Sequence, residues 1–225
     1  RRHNFLQAQK AFADARKAGF DNISVDLMYG LPSQTKSDWA ETLSKIVEMH
    51  PEHISCYGLK LEPGTRMYKE YYGSSILPDD DAQADMYSYA AEMLERYGYK
   101  QYEISNFAAP GYESRHNLKY WNMDDYMSFG PGAHSCIGNV RYSFVKDLKQ
   151  YIYGVHKKIS IVDEYEQIDP LERAVEYVML GMRTSRGISE HDYRLRCQCD
   201  WKPILKVLQA FKEKGWVELT EDRWH

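Results

Sequence analysis

One carboxylate stands out because it interrupts an apolar run. Asp26 lies within residues 23–29, Ile-Ser-Val-Asp-Leu-Met-Tyr, a segment typical of a strand covered on both faces. A buried carboxylate is costly unless it is paired or hydrogen-bonded. Near the end of a parallel strand, it is well placed to accept hydrogen bonds from ribose hydroxyls, as in nucleotide sites. It is equally well placed to hold its own loop, and the residues alone leave both interpretations open.

The densest group of chemically capable side chains is the run His-Asn-Leu-Lys-Tyr-Trp at residues 116–121. His116, Asn117, Tyr120 and Trp121 could face a planar ligand, with the imidazole on a metal and the aromatic rings against the ligand. The alternative is a strand entry, in which His116 and Asn117 hold a turn while the two aromatic side chains enter the core. The residue types alone favour this second interpretation.

Three other patterns carry weaker signals. Residues 130–134, Gly-Pro-Gly-Ala-His, form a glycine-rich loop whose His134 could face a cleft or only satisfy a carbonyl. Cys197 and Cys199 are separated by one residue, which is a poor match for zinc spacings. The lysines of residues 202–214 would lie on the recognition helix of a winged helix, but from residue 160 onward 10 Lys and Arg face 13 Asp and Glu. That balance disfavours a phosphate backbone as partner.

Length and composition limit the class of protein. The 225 residues make one large domain or two small ones. The net charge of −4 and the pI of about 6.1 argue against a general nucleic-acid or anionic-membrane binder. No apolar run approaches the roughly 18 residues of a membrane span, and no signal peptide opens the sequence. Four cysteines are too few for a disulfide scaffold. We expect a soluble, cytoplasmic protein without a transmembrane segment.

Hydrophobic periodicity predicts the elements that position these residues. Helical stripes are expected near residues 5–15, 39–47 and 79–97, with strands at 22–29 and 53–57 between them. Alternating helices and strands indicate βα units, an α/β class and a parallel sheet. Chemistry in such sheets gathers beyond the carboxyl ends of the strands, so the loops at 30–35 and 58–65 are of interest.

The pattern changes after Gly98. We expect strands at residues 101–107 and 117–121, and a helix at about 145–155. Three helices and a strand starting at Trp216 then resemble a winged helix, whose returning strand would lie where the sequence ends. The predicted organisation has three parts, at residues 1–98, 99–162 and 163–225.

Four motifs in order resemble one known family. They are Ile23-Ser-Val-Asp-Leu-Met-Tyr-Gly-Leu-Pro-Ser-Gln-Thr35, Tyr102-Glu-Ile-Ser-Asn-Phe-Ala108, His116-Asn-Leu-Lys-Tyr-Trp121 and Gly130-Pro-Gly-Ala-His-Ser135. The first is similar to the DLIYGLPxQT segment of radical S-adenosylmethionine proteins related to oxygen-independent coproporphyrinogen III oxidase. Together the four resemble the HemW-type branch, a group of heme chaperones.

The resemblance implies a fold, cofactors and site residues. It implies the C-terminal part of a partial (β/α)₆ radical S-adenosylmethionine barrel, followed by an α+β region and a winged-helix-like domain. Asp26 then matches the contact to the ribose of S-adenosylmethionine, and Tyr57 and Gly58 match the backbone that meets its adenine. His116, Asn117, Tyr120 and Trp121 match the branch's heme-associated signature, with His116 a candidate ligand of the heme iron. Porphyrin or heme is the implied cargo, and a heme-recipient protein an implied partner.

The sequence departs from this family in one respect. It has no Cys-x-x-x-Cys-x-x-Cys run, whose three thiolates hold the [4Fe-4S] cluster in family members. We therefore interpret it as a C-terminal fragment that assigns no catalytic residue, holds neither cluster nor S-adenosylmethionine tightly, and is inactive alone. The strand at residues 23–29 has then lost a neighbour, and we expect a second copy to cover its edge in a homodimer.

Three functions remain in competition. The first is heme trafficking or porphyrin metabolism in the HemW-type branch, which the run at residues 116–121 favours. The second is oxidative decarboxylation of coproporphyrinogen III through a 5′-deoxyadenosyl radical. The third is a nucleic-acid-binding winged-helix module, against which the acidic charge balance argues.

Overall fold

A computed structural model describes residues 3–225, so the first two residues of the predicted 1–98 segment lie outside it. The chain divides into two compact units, of which the first ends at Ser114 and the second is Arg115–His225. Among the described residues, no helix is both long and apolar enough to cross a membrane.

The first unit is a four-stranded sheet with helices. Its elements are α1 (Phe5–Lys17), β1 (Ser24–Tyr29), α2 (Lys36–Val47), β2 (His53–Gly58), α3 (Arg66–Tyr71), α4 (Asp80–Arg96), β3 (Lys100–Glu103) and β4 (Asn106–Ala108). The strand order is β1-β2-β4-β3, with β1 parallel to β2 and the other neighbours antiparallel. The predicted α/β class is confirmed, and β1 lies at one edge of the sheet.

Helices α2 and α4 cover one face of this sheet because their apolar stripes face it. Thr35 caps α2 and exchanges hydrogen bonds with Asp38, and Asp79 caps α4. Trp39, fully buried, donates its indole N–H to the carbonyl of Met86 at 2.9 Å, which ties α2 to α4. The apolar residues of the strands pack against this layer, so the polar residues between them lie on the opposite face.

The second unit contains the remaining elements. They are α5 (Arg115–Trp121), β5 (His134–Ile137), β6 (Val140–Phe144), α6 (Leu148–Lys157), β7 (Val162–Gln167), α7 (Pro170–Gly181), α8 (Glu190–Cys197), α9 (Lys202–Glu213), β8 (Leu219–Thr220) and β9 (Arg223–Trp224). Strands β5, β6 and β7 form an antiparallel sheet in that order. Helices α7, α8 and α9 surround a core that includes Ile188, Trp201 and Trp224. The hairpin β8–β9 returns, and Trp224 exchanges backbone hydrogen bonds with Ile188.

Two predicted strands differ in the structure. The single strand expected at residues 101–107 is the hairpin β3–β4, which turns at Ile104 and Ser105. The strand expected at 117–121 is helix α5. Leu118 and Trp121 are half-buried at helical spacing, whereas His116 and Tyr120 are exposed four residues apart. Alternating polar and apolar residues over so short a run fit either element, and burial favoured the helix.

The two predicted internal boundaries lie at or near strands. Residue 98 lies two positions before β3, which completes the first sheet through β4. Residue 162 begins β7, which pairs with β6. The two compact units of the structure meet after Ser114, and the three-part organisation stays a prediction.

Candidate functional site

A row of polar side chains crosses the face of the first sheet that α2 and α4 leave uncovered; we call it the polar face. Asp26 pairs in register with Ser55, Ser55 with Asn106, and Asn106 with Glu103. With strands roughly 4.8 Å apart, this row extends over four adjacent strands. Asp26 is exposed, whereas Ser55, Asn106 and Glu103 are buried.

A hydrogen-bonded chain lies in the neighbouring row of the polar face. His53 is buried, and its Nδ1 lies 2.8 Å from the hydroxyl of Ser24. Its Nε2 lies 2.8 Å from the phenol oxygen of Tyr102. Burial lowers the pKa of His53 below its usual value, and the negative charge of Asp26 opposes that shift. These hydrogen bonds to Ser24 and Tyr102 therefore hold a neutral imidazole next to the carboxylate of Asp26.

Glu103 and Asn106 form the buried end of the polar row. Glu103 accepts hydrogen bonds from the backbone N–H of Ser105 at 3.0 Å and from the side-chain amide of Asn106. The carbonyl oxygen Oδ1 of Asn106 is buried and has no hydrogen-bond partner among residues 3–225. An unpaired buried acceptor is costly, so this oxygen is a candidate to accept a donor hydrogen bond.

The structure brings the three predicted nucleoside contacts together at the same sheet edge. Asp26 points to the polar face, and Tyr57, 40% exposed, follows Ser55 by two residues on that face. Gly58 ends β2, and a Cβ there would lie 3.1 Å from the ring of Tyr29. A side chain at position 58 would press on the ring of Tyr29, which has to shift by a few tenths of an ångström to admit it.

The predicted heme-associated residues lie on α5 in the second unit. The phenol oxygen of Tyr120 lies 3.0 Å from Nε2 of His116, one helical turn away. The two rings meet edge to face, with centroids 5.0 Å apart. Asn117 and Trp121 are half-buried on the adjacent face of the helix, about 100° round its axis. The structure thus pairs His116 with Tyr120 and turns Asn117 and Trp121 away from them.

A third aromatic side chain contacts this pair and is followed along the chain by exposed apolar residues. Tyr126 packs edge to face on Tyr120 with centroids 4.7 Å apart. Tyr126 is fixed by two backbone hydrogen bonds to Cys136, each 2.9 Å. Met127 and Phe129 follow in the same loop and are 60% and 81% exposed. We define the α5 cluster as His116, Tyr120, Tyr126, Met127 and Phe129. Exposed aromatic and thioether groups beside an imidazole suit a large apolar ring with a metal at its centre.

An apolar groove of about 710 Å³ lies elsewhere in the second unit. Helices α7 and α9 line it with Val175, Met179, Ile204 and Val207 among others. Its only ionisable carboxylate is Asp200, and its volume falls in the range of small-molecule sites. The groove lacks a histidine, which distinguishes it from the α5 cluster.

The cysteines do not fit a three-thiolate cluster site. No group of three or more His, Cys, Asp or Glu within residues 3–225 is arranged to hold a metal. Burial raises the pKa of Cys56 to about 12 and that of Cys197 to about 11, so both stay protonated at neutral pH. The residues of this chain therefore supply no thiolate set for an iron–sulfur cluster.

Sequence reasoning missed several residues of the polar face. His53, Ser55, Glu103 and Asn106 were not singled out, nor was Tyr126 in the α5 cluster. The signal was present in part, because polar residues at every second position of β2 mark a strand with one polar face. The pairing of β2 with β4 joins residues about 50 positions apart, as in Ser55 and Asn106, and no local pattern encodes it.

Comparison with known proteins gives one consistent family. A model of the HemN C-terminal domain matches residues 168–225. The heme chaperone HemW of Bacillus subtilis is 36% identical over 213 residues, which cover 94% of this chain and 56% of that protein. The HemW of Synechocystis is 34% identical over 221 residues, covering 97% and 54%. A zebrafish (Danio rerio) protein named radical S-adenosyl methionine domain-containing protein 1, mitochondrial, is 31% identical over 234 residues, covering 97% and 50%.

A solved structure shares the fold. It is described as coproporphyrinogen III oxidase (HemN) from Escherichia coli, a radical SAM enzyme. The TM-score is 0.80 at 20% identity, over 99% of this chain and 55% of that one. The chain spans about half the length of the curated relatives it matches. The sequence motifs and the relatives agree: nearly the whole chain is similar to about half of each protein named heme chaperone HemW, and residues 168–225 match the HemN C-terminal domain.

Proposed function

We propose that this chain carries the heme-docking part of a HemW-type heme chaperone, with heme bound at the α5 cluster. The observation that carries the proposal is the exposed His116–Tyr120 pair, whose tyrosine packs on Tyr126, with Met127 and Phe129 exposed in the loop that follows Tyr126. An iron ligand and an apolar wall on one surface are the two things that a porphyrin requires. The names of the curated relatives support a chaperone over a coproporphyrinogen dehydrogenase or a nucleic-acid-binding module.

Charge around the cluster also suits a heme. Arg115 and Lys119 are exposed on the same helix, one turn apart, and Lys119 lies three residues from His116. A heme carries two propionates at one edge, which lysine and arginine neutralise. Cations beside an apolar surface therefore favour a ring oriented with its propionates toward α5.

We propose a second site on the polar face for the nucleoside of S-adenosylmethionine. The carboxylate of Asp26 would accept hydrogen bonds from the ribose hydroxyls, and the backbone at Tyr57 and Gly58 would meet the adenine. Their common sheet edge and the exposure of Asp26 support this. When bound to a reduced [4Fe-4S] cluster, S-adenosylmethionine supplies a 5′-deoxyadenosyl radical. The residues described here hold the nucleoside only and offer no cluster ligands.

The finer architecture belongs to the same proposal. The first sheet would be the C-terminal part of a partial (β/α)₆ barrel, and α7, α8, α9 and the β8–β9 hairpin would be a winged-helix-like domain. A cytoplasmic location and a heme-recipient protein as partner complete the proposal. The parallel pair β1–β2 supports the partial barrel, and the order of helices and hairpin supports the winged-helix-like domain.

A heme titration tests the proposed function. Ferric heme added to the chain should give a saturable change in the Soret band with one site per chain. The double variant His116→Ala, Tyr120→Phe should weaken binding by about tenfold or more, because the iron loses its protein ligand.

Helix α6 offers matched controls, since Tyr153 and His156 are likewise exposed on one helix. The double variant Tyr153→Phe, His156→Ala should bind as the unaltered chain does. Equal heme affinity in both double variants would refute the assignment.

A further inference from the structure

We infer that the phenolate oxygen of Tyr120 ligates ferric heme iron and that His116 acts as the base that accepts its proton. The inference rests on the proposed function and names the ligand atom within that site. It differs from the expectation of the sequence, which named His116 as the candidate ligand.

The occupied ring nitrogen is the first reason. Nε2 of His116 lies 3.0 Å from the phenol oxygen of Tyr120, so the exposed end of the imidazole already has a partner. Only Nδ1 remains for a metal, and its neighbouring ring carbon bears the side-chain Cβ. That substituent crowds the plane of a porphyrin approaching Nδ1. Ligation by His116 would therefore require that the 3.0 Å contact break, whereas ligation by Tyr120 preserves it.

The chemistry of the phenol is the second reason. A tyrosine binds ferric iron through its phenolate oxygen, so the phenol proton must pass to a base, and Nε2 of His116 lies 3.0 Å from that oxygen. In the proposed step, the iron–oxygen bond forms as the O–H bond breaks, and the proton passes to Nε2 of His116. No electron is transferred, and the products are an iron(III) phenolate and an imidazolium that donates its N–H back to the oxygen. Tyrosine ligation of heme iron is known chemistry, as in catalase.

The support around Tyr120 is the third reason. Its ring makes edge-to-face contacts with His116 and Tyr126, at centroid distances of 5.0 and 4.7 Å. Tyr126 is itself fixed to the sheet through Cys136. Tyr120 nevertheless remains 40% exposed, so the ring is held while a face stays open to a ligand. A rigid neighbour on one side and solvent on the other suit a ligand that must bind cargo and release it.

Ligation by a phenolate makes the release of heme depend on the oxidation state of its iron. A phenolate is a hard anion that binds iron(III) more tightly than iron(II), because the ferric ion carries the greater charge. Reduction of the bound heme should therefore weaken its hold on this surface. An imidazole ligand would show a smaller difference in affinity between ferric and ferrous iron. The dependence of heme binding on reduction therefore distinguishes the Tyr120 oxygen from a His116 nitrogen as the ligand.

The single variants Tyr120→Phe and His116→Ala test the inference in the full chain. Ferric heme is titrated into each, and binding is followed by visible absorption and electron paramagnetic resonance. The unaltered chain should show an axial high-spin signal and a phenolate-to-iron charge-transfer band. Tyr120→Phe should lose that band and bind about tenfold or more weakly. His116→Ala should keep the band but bind ferric heme several-fold more weakly, because the base that accepts the proton is gone.

Two results would overturn the inference in different ways. If Tyr120→Phe keeps the spectrum and affinity while His116→Ala loses both, histidine is the ligand and the proposed function survives. If neither variant changes heme affinity, the proposed function fails as well. Tyr153→Phe and His156→Ala on α6 serve as controls, and circular dichroism verifies that each variant folds. Addition of dithionite to the unaltered complex should release heme at least several-fold faster than without it.

Discussion

Among single side chains, His53 makes the clearest prediction because its burial and its partners are both known. Its folded pKa is lowered by burial, so the unfolded chain takes up a proton more readily. The contribution to stability is therefore fully present above the unfolded value of about 6.5 and is lost as the pH falls from there toward the folded pKa. In urea titrations, the free energy of unfolding should decrease from roughly pH 7 to pH 5.

The variant His53→Gln should remove that slope, because its side chain does not titrate. His156→Gln, exposed on α6, is the matched control and should keep the slope of the unaltered chain. Equal slopes for all three proteins would show that His53 does not lower the stability on acidification. Glu52 and Asp192, whose pKa values are also lowered, lose their contributions only at more acidic pH.

Residue types gave part of the site and could not give the rest. Asp26 was identified because a carboxylate in an apolar strand is conspicuous, and His116 and Tyr120 because they stand close in sequence. Asn106 escaped notice, since its unsatisfied oxygen exists only once β4 lies beside β2. The contact of Tyr120 with His116 depends on the helix, because a strand over residues 117–121 would place the two side chains on one face but roughly 13 Å apart.

Helix α7 provides a prediction about packing. Gly181 ends α7 with an ordinary helical backbone, and a Cβ there would lie 2.3 Å from Cγ2 of Ile188. Helix propensity alone would make Gly181→Ala stabilising by about 1 kcal/mol. Because Ile188 is fully buried and branched at Cβ, overpacking should dominate, and the net cost should be about 1–3 kcal/mol.

A double-mutant cycle separates the two effects. In an Ile188→Ala background the methyl of Gly181→Ala has room, so its cost should fall by at least about 0.5 kcal/mol. Urea denaturation measures all four proteins. A stabilising Gly181→Ala in the unaltered background would contradict the close approach of α7 to Ile188.

Helices and strands with strong stripes were predictable, and weakly patterned ones were not. The stripe of Trp39, Leu43 and Val47 fixes α2 against the sheet, and all three are buried as expected. Strand β7 reads Val-Asp-Glu-Tyr-Glu-Gln and is exposed throughout. Strand β7 is held by backbone pairing to β6 and buries no side chain. Its sequence therefore shows no alternation of apolar and polar residues that could predict it.

Strand β1 forms an edge of the first sheet, and this edge bears on how the chain associates in solution. Strand β1 pairs on one side only, and α1, β1 and α2 enclose a groove of about 480 Å³ lined by Ala8, Phe12 and Val25 among others. Unpaired backbone beside apolar side chains favours association. We propose a homodimer through this edge, which light scattering coupled to size exclusion should detect as a concentration-dependent rise in mass.

The variant Phe12→Glu should shift that equilibrium to monomer, because a charge in the groove opposes its burial. Leu6→Glu is the matched control: Leu6 is exposed on α1 but does not line the groove. A monodisperse monomer at every concentration would exclude the dimer.

The central claim is that heme docks on the α5 cluster, and a paramagnetic footprint tests it most directly. Ferric heme broadens the amide resonances nearest to it, so a titration of the ¹⁵N-labelled chain locates the bound ring. With heme on the α5 cluster, the broadening should be centred on residues 115–121 and 126–129. Broadening centred on the apolar groove between α7 and α9, or on the polar face of the first sheet, would contradict it.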